Sequence, residues 1–196
     1  MLTFNKEDYY SNIPVLEKHA LKNSKDKNLE NCLVLIHPYH CELAGEYMSK
    51  IQEFSQYKNR LKKIFNSKKD ISLILFEEPE NYFRFTYNLV EKNFFDKVIF
   101  TNGSSGEPYR NNEIDYFENK NIFAGGMYNG LCLSRAITEI KKKVPIEKIF
   151  PIREICLNNW FRMKQQGTVF PKKISFLEGE AFNTINFESF SEYFLE

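Results

Sequence analysis

Uninterrupted apolar runs, each the length of one strand, alternate along this chain with longer stretches whose apolar side chains recur at helical spacing. The runs predict strands buried on both faces, and the spaced stretches predict helices with one buried stripe. Strands are predicted over residues 32–36, 71–76, 97–100, 121–124 and 149–156. The first stops at His37-Pro38, because proline lacks the ladder donor, and Pro151 assigns the fifth to a sheet edge or a kink. Leu43, Tyr47, Ile51, Phe54, Leu61 and Phe65 mark a crossover helix within 42–66. Tyr82, Phe83, Thr86, Leu89, Val90 and Phe94 mark a second, opened by Pro79 and acids as a helix start prefers. A short helical patch holds Ile114, Tyr116 and Phe117, and Leu133, Ala136, Ile137, Ile140 and Val144 predict a helix after the Gly125-Gly126 pair.

Residues 1–31 are polar and interrupted by Pro14, which reads as an N-terminal arm with one short helix near 15–21. Residues 32–196 then form a single α/β domain, whose aromatic tail from residue 173 docks on the core. Strand and helix alternate through connections that must cross over. The solution is a three-layer α/β/α Rossmann-like fold with a mostly parallel sheet of about five or six strands. Ligands of such sheets lie beyond the carboxyl ends of the strands.

Composition narrows the function classes. A chain of 196 residues, 42% hydrophobic, suffices for one core and is short for two. Lys plus Arg number 27 against 26 for Asp plus Glu, so no basic field points to nucleic acid. The run Lys141-Lys142-Lys143 closes a helix, where cations complement the dipole. Four cysteines lie far apart without a CxxC pair, which fits free thiols in a reducing compartment. With no leader pattern and no run of membrane-spanning length, a soluble cytoplasmic protein is expected.

The predicted strand ends deliver their next residues to one edge. The first brings His37, Tyr39, His40 and Cys41, the second Glu77 and Glu78, the third Thr101, Asn102 and Ser104, the fourth Tyr128, Asn129 and Cys132. Cys132 falls near a helix N-terminus, where partial positive charge favours a thiolate and a glycine turn offers N–H groups to an oxyanion. Any Cys–His chemistry must draw on the few histidines, at 19, 37 and 40. Cys132 and His37 are therefore the candidate catalytic pair, as nucleophile and base, although a strand-end histidine also serves structural hydrogen bonds. His40, Tyr39, Glu77, Asn102, Tyr128, Asn129 and Gly130 are the candidate substrate-binding residues. His37, His40 and Cys41 match no zinc spacing, so no metal is assigned, and no cofactor either. Glu77 and Glu78 are also expected at a helix start on dipole grounds alone. The Gly103-Ser-Ser-Gly106 and Gly125-to-Gly130 segments could wrap a phosphate, but neither is a P-loop or a GxGxxG.

The stretch Gly126-Met-Tyr-Asn-Gly-Leu-Cys132-Leu-Ser-Arg-Ala136 resembles the nucleophile turn of the isochorismatase-like cysteine hydrolases, the superfamily of nicotinamidases and N-carbamoyl amidohydrolases. There a strand ends in glycine, five residues precede the cysteine, and a small apolar residue and a helix follow. The Ser-rich loop, short helix and strand upstream fit as well. The resemblance implies Cys132 as nucleophile, with the Gly130, Leu131 and Cys132 amides near the oxyanion. It also implies an aspartate ending the first strand and a lysine just after the third, where this chain has His37 and Thr101-Asn102. What it implies is thus a cysteine-dependent hydrolase of small amide-like or related substrates, or a catalytically degenerate member that keeps the fold. The alternative is a non-catalytic Rossmann-like module that binds a nucleotide or a protein partner; a homo-oligomer stays open. Gly130-to-Ser134 also resembles the nucleophile turn of class I glutamine amidotransferases, but their late catalytic histidine has no counterpart after His40.

Overall fold

In the computed structural model, which describes residues 10–25, 27, 29–40, 42, 52–175 and 181–195, five parallel strands form the central sheet. They are β1 (Asn31–Ile36), β2 (Ser72–Glu77), β3 (Lys97–Phe100), β4 (Asn121–Asn129) and β5 (Ile149–Asn158), in the order β3-β2-β1-β4-β5. The order reverses between β1 and β4, and in sheets of this kind ligands bind in the crevice beyond the carboxyl ends at such a point.

Period-two alternation explains why the central strands read as unbroken apolar runs. Leu33, Leu35, Leu73 and Leu75 face one core, shared with helices α1 (Ile13–Asn23), α2 (Gln52–Ser67) and α3 (residues 79–91). Cys32, Val34, Ile36, Ile74 and Phe76 face the other, shared with α4 (Cys132–Lys141) and the 3-10 segment Asn111–Phe117. Each wholly buried aliphatic side chain contributes about 1.5–3 kcal/mol, so both faces must be covered. The result is a three-layer α/β/α domain with a Rossmann-like sheet.

The helix expected in the N-terminal arm is longer than its pattern implied and belongs to a helical layer. Ile13, Leu16 and Ala20 are buried against β3 and the end of α3. His19 is tied there as well: its Nδ1 lies 2.8 Å from the Tyr82 hydroxyl and its ring stacks on Tyr87 at 4.2 Å. The first crossover helix is described over Gln52–Ser67; Cys41, Leu43, Tyr47 and Ile51 lie outside the described residues.

One strand departs from expectation and another meets it. β4 does not end at its glycine pair but runs on to Asn129, with register shifts against β5 between Ala124 and Gly126 and between Met127 and Asn129. Gly126 permits this, at φ 118°, because a Cβ there would run into the Ile36 carbonyl of β1. β5 occupies the edge that Pro151 required, and the tail covers its open side: Arg153 N–H donates to Ile185 O and Ile185 N–H to Pro151 O, each at 2.9 Å.

The tail docks as its aromatics demand. Strands β6 (Lys173–Ser175) and β7 (Ala181–Asn183) pair antiparallel, α5 (Trp160–Gln166) follows β5 in the chain, and α6 (Phe187–Phe194) packs against β5. Phe190 is buried and stands 5.4 Å, centroid to centroid, from Phe123. No helix among the described residues is long and apolar enough to cross a membrane.

Candidate functional site

The carboxyl ends of β1, β2 and β4 carry a cluster of buried polar side chains. His37 follows β1 at φ 43°, wholly buried, and its N–H extends the ladder to Phe76 O at 2.9 Å. Its Nε2 lies 3.0 Å from the Thr101 hydroxyl, which donates its single hydrogen to Gly103 O at 2.8 Å. The hydroxyl must therefore accept from His37, which assigns the proton to Nε2 and leaves Nδ1 a bare acceptor. That Nδ1 has no partner. Burial, then nearby His40, pushes the imidazole pKa down to about 3, so the ring is neutral at physiological pH.

Glu77 ends β2, also wholly buried. Its Oε1 accepts the Glu78 N–H at 3.2 Å and its Oε2 has no partner. Burial, followed by the Glu78 charge, raises this carboxyl well above the usual carboxylate range, against weaker opposing contacts from Asn81 and Thr86. His40 is half-buried, its titration lowered by burial. Its Nδ1 meets the Asn81 amide at 2.8 Å and its ring stands edge-on to Tyr128 at 6.0 Å. Asn81 is itself buried and its Oδ1 is unpartnered.

His37 Nδ1, Glu77 Oε2 and Asn81 Oδ1 thus form a group of unpartnered buried atoms on one edge. Each such atom costs about 1–3 kcal/mol, and native proteins rarely leave several together without a role. Tyr39, partly buried, packs against the neighbouring core.

Cys132 opens α4, where the glycine turn was expected to place it, but not as a thiolate. The side chain is 4% exposed; Sγ accepts the Tyr128 N–H at 3.0 Å and donates to the Met127 carbonyl across a cis Met127–Tyr128 peptide. Burial pushes the thiol up to about 12, outweighing the Tyr128 and Leu133 N–H groups that favour the anion. Burial thus opposes the helix-terminal thiolate expectation, desolvation working against the dipole here. Two of the three amides expected around an oxyanion are also engaged. Gly130 N–H donates to Ser134 Oγ at 2.6 Å and Leu131 N–H to Tyr128 O at 2.9 Å.

Asn129 holds strands together instead of facing a ligand. At 2% exposure, its Nδ2 donates to Asn158 Oδ1 at 3.1 Å and to Lys173 O at 3.2 Å. Its Oδ1 accepts from Ser134 at 3.3 Å, and its backbone carbonyl accepts from Asn159 Nδ2 at 3.1 Å. Asn102 is exposed in the loop after β3, its N–H bound to Glu107 O at 2.8 Å.

No family model, curated protein or solved structure matches the chain. Its own geometry carries the functional reading. His37, His40, Glu77, Tyr128 and Cys132 lie together at the carboxyl edge of β1, β2 and β4, whereas Asn102 and Asn129 are bonded elsewhere. Asn81 and Thr101 complete the cluster. Thr101 was expected at the edge from the end of its strand, while nothing in the sequence singles out Asn81, in the first turn of α3. Among the described residues no three His, Cys, Asp or Glu side chains converge as a metal-binding group.

Proposed function

We propose that the chain is a catalytically degenerate isochorismatase-like protein that binds a small amide-like molecule at the β1/β4 crevice without hydrolysing it. The observation carrying this reading is the contrast around Cys132. The thiol is protonated and engaged by backbone on both sides, while acceptors on the same edge, His37 Nδ1 and Asn81 Oδ1, await donors. A nucleophile must present a thiolate to substrate, and binding needs only unpaired acceptors facing a ligand's N–H groups. The positions where the resemblance implies aspartate and lysine hold neutral His37 and Thr101, which bond each other. That pair can orient a ligand, but it supplies no charged base and no cation.

A panel of small primary amides and N-carbamoyl compounds tests the reading by thermal shift and by ammonia release. A ligand bound only to the native state raises the melting temperature by mass action. The expected result is stabilisation by at least one compound, absent in His37→Ala, with no ammonia released. Ammonia release that Cys132→Ala abolishes would contradict it, as would stabilisation by no compound.

A further inference from the structure

A cleft of about 470 Å³ lies beside β3, the sheet edge remote from β5, and α1 and the start of the 3-10 segment Asn111–Phe117 supply its other walls. Some of its charged side chains are already matched. Arg110 donates to Glu17 of α1 through two nitrogens, at 2.7 and 2.9 Å, and Asp96 is held by Lys68 at 2.8 Å. Glu113, Lys18 and Lys97 are not. Glu113 Oε2 is buried without a partner. Lys18 is exposed on α1, Lys97 lies half-buried on β3 with its Nζ 5.3 Å from the centre of the Tyr116 ring, and among the described residues neither makes an ion pair.

The fold fixes this arrangement. Glu113 belongs to the first turn of the 3-10 segment, its own N–H bonded to the Arg110 carbonyl at 3.1 Å, and the Glu17–Arg110 pair ties that turn to α1. Burial pushes the Glu113 carboxyl up to about 7; Lys97 of β3 opposes the rise, Glu17 of α1 adds to it, and Arg110 opposes it through both its charge and its backbone. A buried oxygen without a donor is costly, and an ammonium group supplies both the missing N–H and the balancing charge.

We propose that this cleft binds a small zwitterion of the amino-acid class, its ammonium donating to Glu113 Oε2, its carboxylate held by Lys18 and Lys97, and its carbon chain lying on Ala20, Leu21 and Val98. All six residues line the cleft. A ligand of one sign satisfies one wall and leaves the other unmet, so the mixed lining selects for both charges together. The volume falls within the range of small-molecule sites. Bound ammonium requires Glu113 as carboxylate, so below its free pKa the residue gives up a proton to solvent when the ligand binds, and the ligand keeps its own. The site is separate from the β1/β4 crevice and does not depend on the function proposed there.

Calorimetric titration of the full chain with glycine, β-alanine, γ-aminobutyrate and ε-aminocaproate tests the site. Saturable binding of at least one is expected, and the matching plain amine and plain carboxylic acid should each bind about tenfold or more weaker. Glu113→Gln, which keeps the side-chain shape, and Lys18→Gln, at an exposed position that does not threaten the fold, should each weaken binding about tenfold. The affinity of the unaltered chain should rise about tenfold per pH unit as pH climbs towards the Glu113 value of about 7 and level off above it, whereas Glu113→Gln should show no such slope. His37→Ala should leave binding unchanged, which separates this site from the crevice. No saturable heat with any of the four, equal binding of the plain amine or acid, undiminished binding in either variant, or a pH-independent affinity of the unaltered chain would overturn the proposal.

Discussion

Replacing Gly126 by alanine is expected to cost the domain at least about 3 kcal/mol, a large share of the roughly 5–15 kcal/mol that holds such a domain folded. Two effects add at this position. The residue adopts φ 118°, a region that L side chains rarely enter, which alone costs about 1–3 kcal/mol. The new Cβ would also strike the Ile36 backbone of β1, which cannot rotate away as a side chain can. β4 would have to move off β1 at the centre of the sheet, where Ile36 pairs with Gly126. Gly125→Ala provides the control: its φ is not positive, its Cβ would meet the movable end of the Ile155 side chain at 2.6 Å, and it would approach the Ile155 carbonyl only to 3.0 Å. Urea denaturation should show Gly126→Ala largely unfolded or far less stable, and Gly125→Ala only moderately affected.

Glu77→Gln is expected to stabilise the protein at neutral pH, by an amount that grows as pH rises. The sign follows from linkage. Burial raises the folded-state pKa of Glu77 well above its ordinary value. Between the unfolded and folded values the native state therefore holds a proton that the unfolded chain has lost, so stability falls with rising pH across that window. Each pH unit inside the window costs about 1.4 kcal/mol, and glutamine carries no such cost. The glutamine amide also offers a donor to Asn81, whose Oδ1 lacks a partner. Melting temperatures of the two proteins should coincide most closely near the ordinary carboxyl pKa and diverge above it, the variant being higher. His37 acts in the opposite sense. Its folded pKa is about 3, so its contribution is lost as pH falls below the ordinary histidine value.

Most of the sheet was legible because its signal is local. The run 32–36 and the run 71–76 each lie within one residue of β1 and β2, and residues 97–100 match β3. Pro151 marked the edge strand through its missing donor. The extension of β4 was hidden because glycines usually punctuate a strand, and here Gly126 serves a close approach to β1 that only the assembled sheet creates. The site was legible as a set of strand ends but not as chemistry. A dipole argument for Cys132 uses only neighbours in sequence, whereas the burial that raises its pKa comes from packing in the core with Ile36 and Phe76. Asn129 shows the same limit, since its partners Asn158 and Lys173 are distant in sequence.

The central claim, that Cys132 is a protonated and enclosed thiol in the native protein, is tested most directly by native-state alkylation. Iodoacetamide labelling near neutral pH, resolved peptide by peptide by mass spectrometry, should modify Cys132 no faster than Cys32 and Cys156, both also buried and pushed up by burial. All three should react once the chain is unfolded in urea. Labelling of Cys132 well ahead of the other two, with a pH midpoint below the ordinary thiol value of about 8.5, would contradict the account and restore Cys132 as a nucleophile.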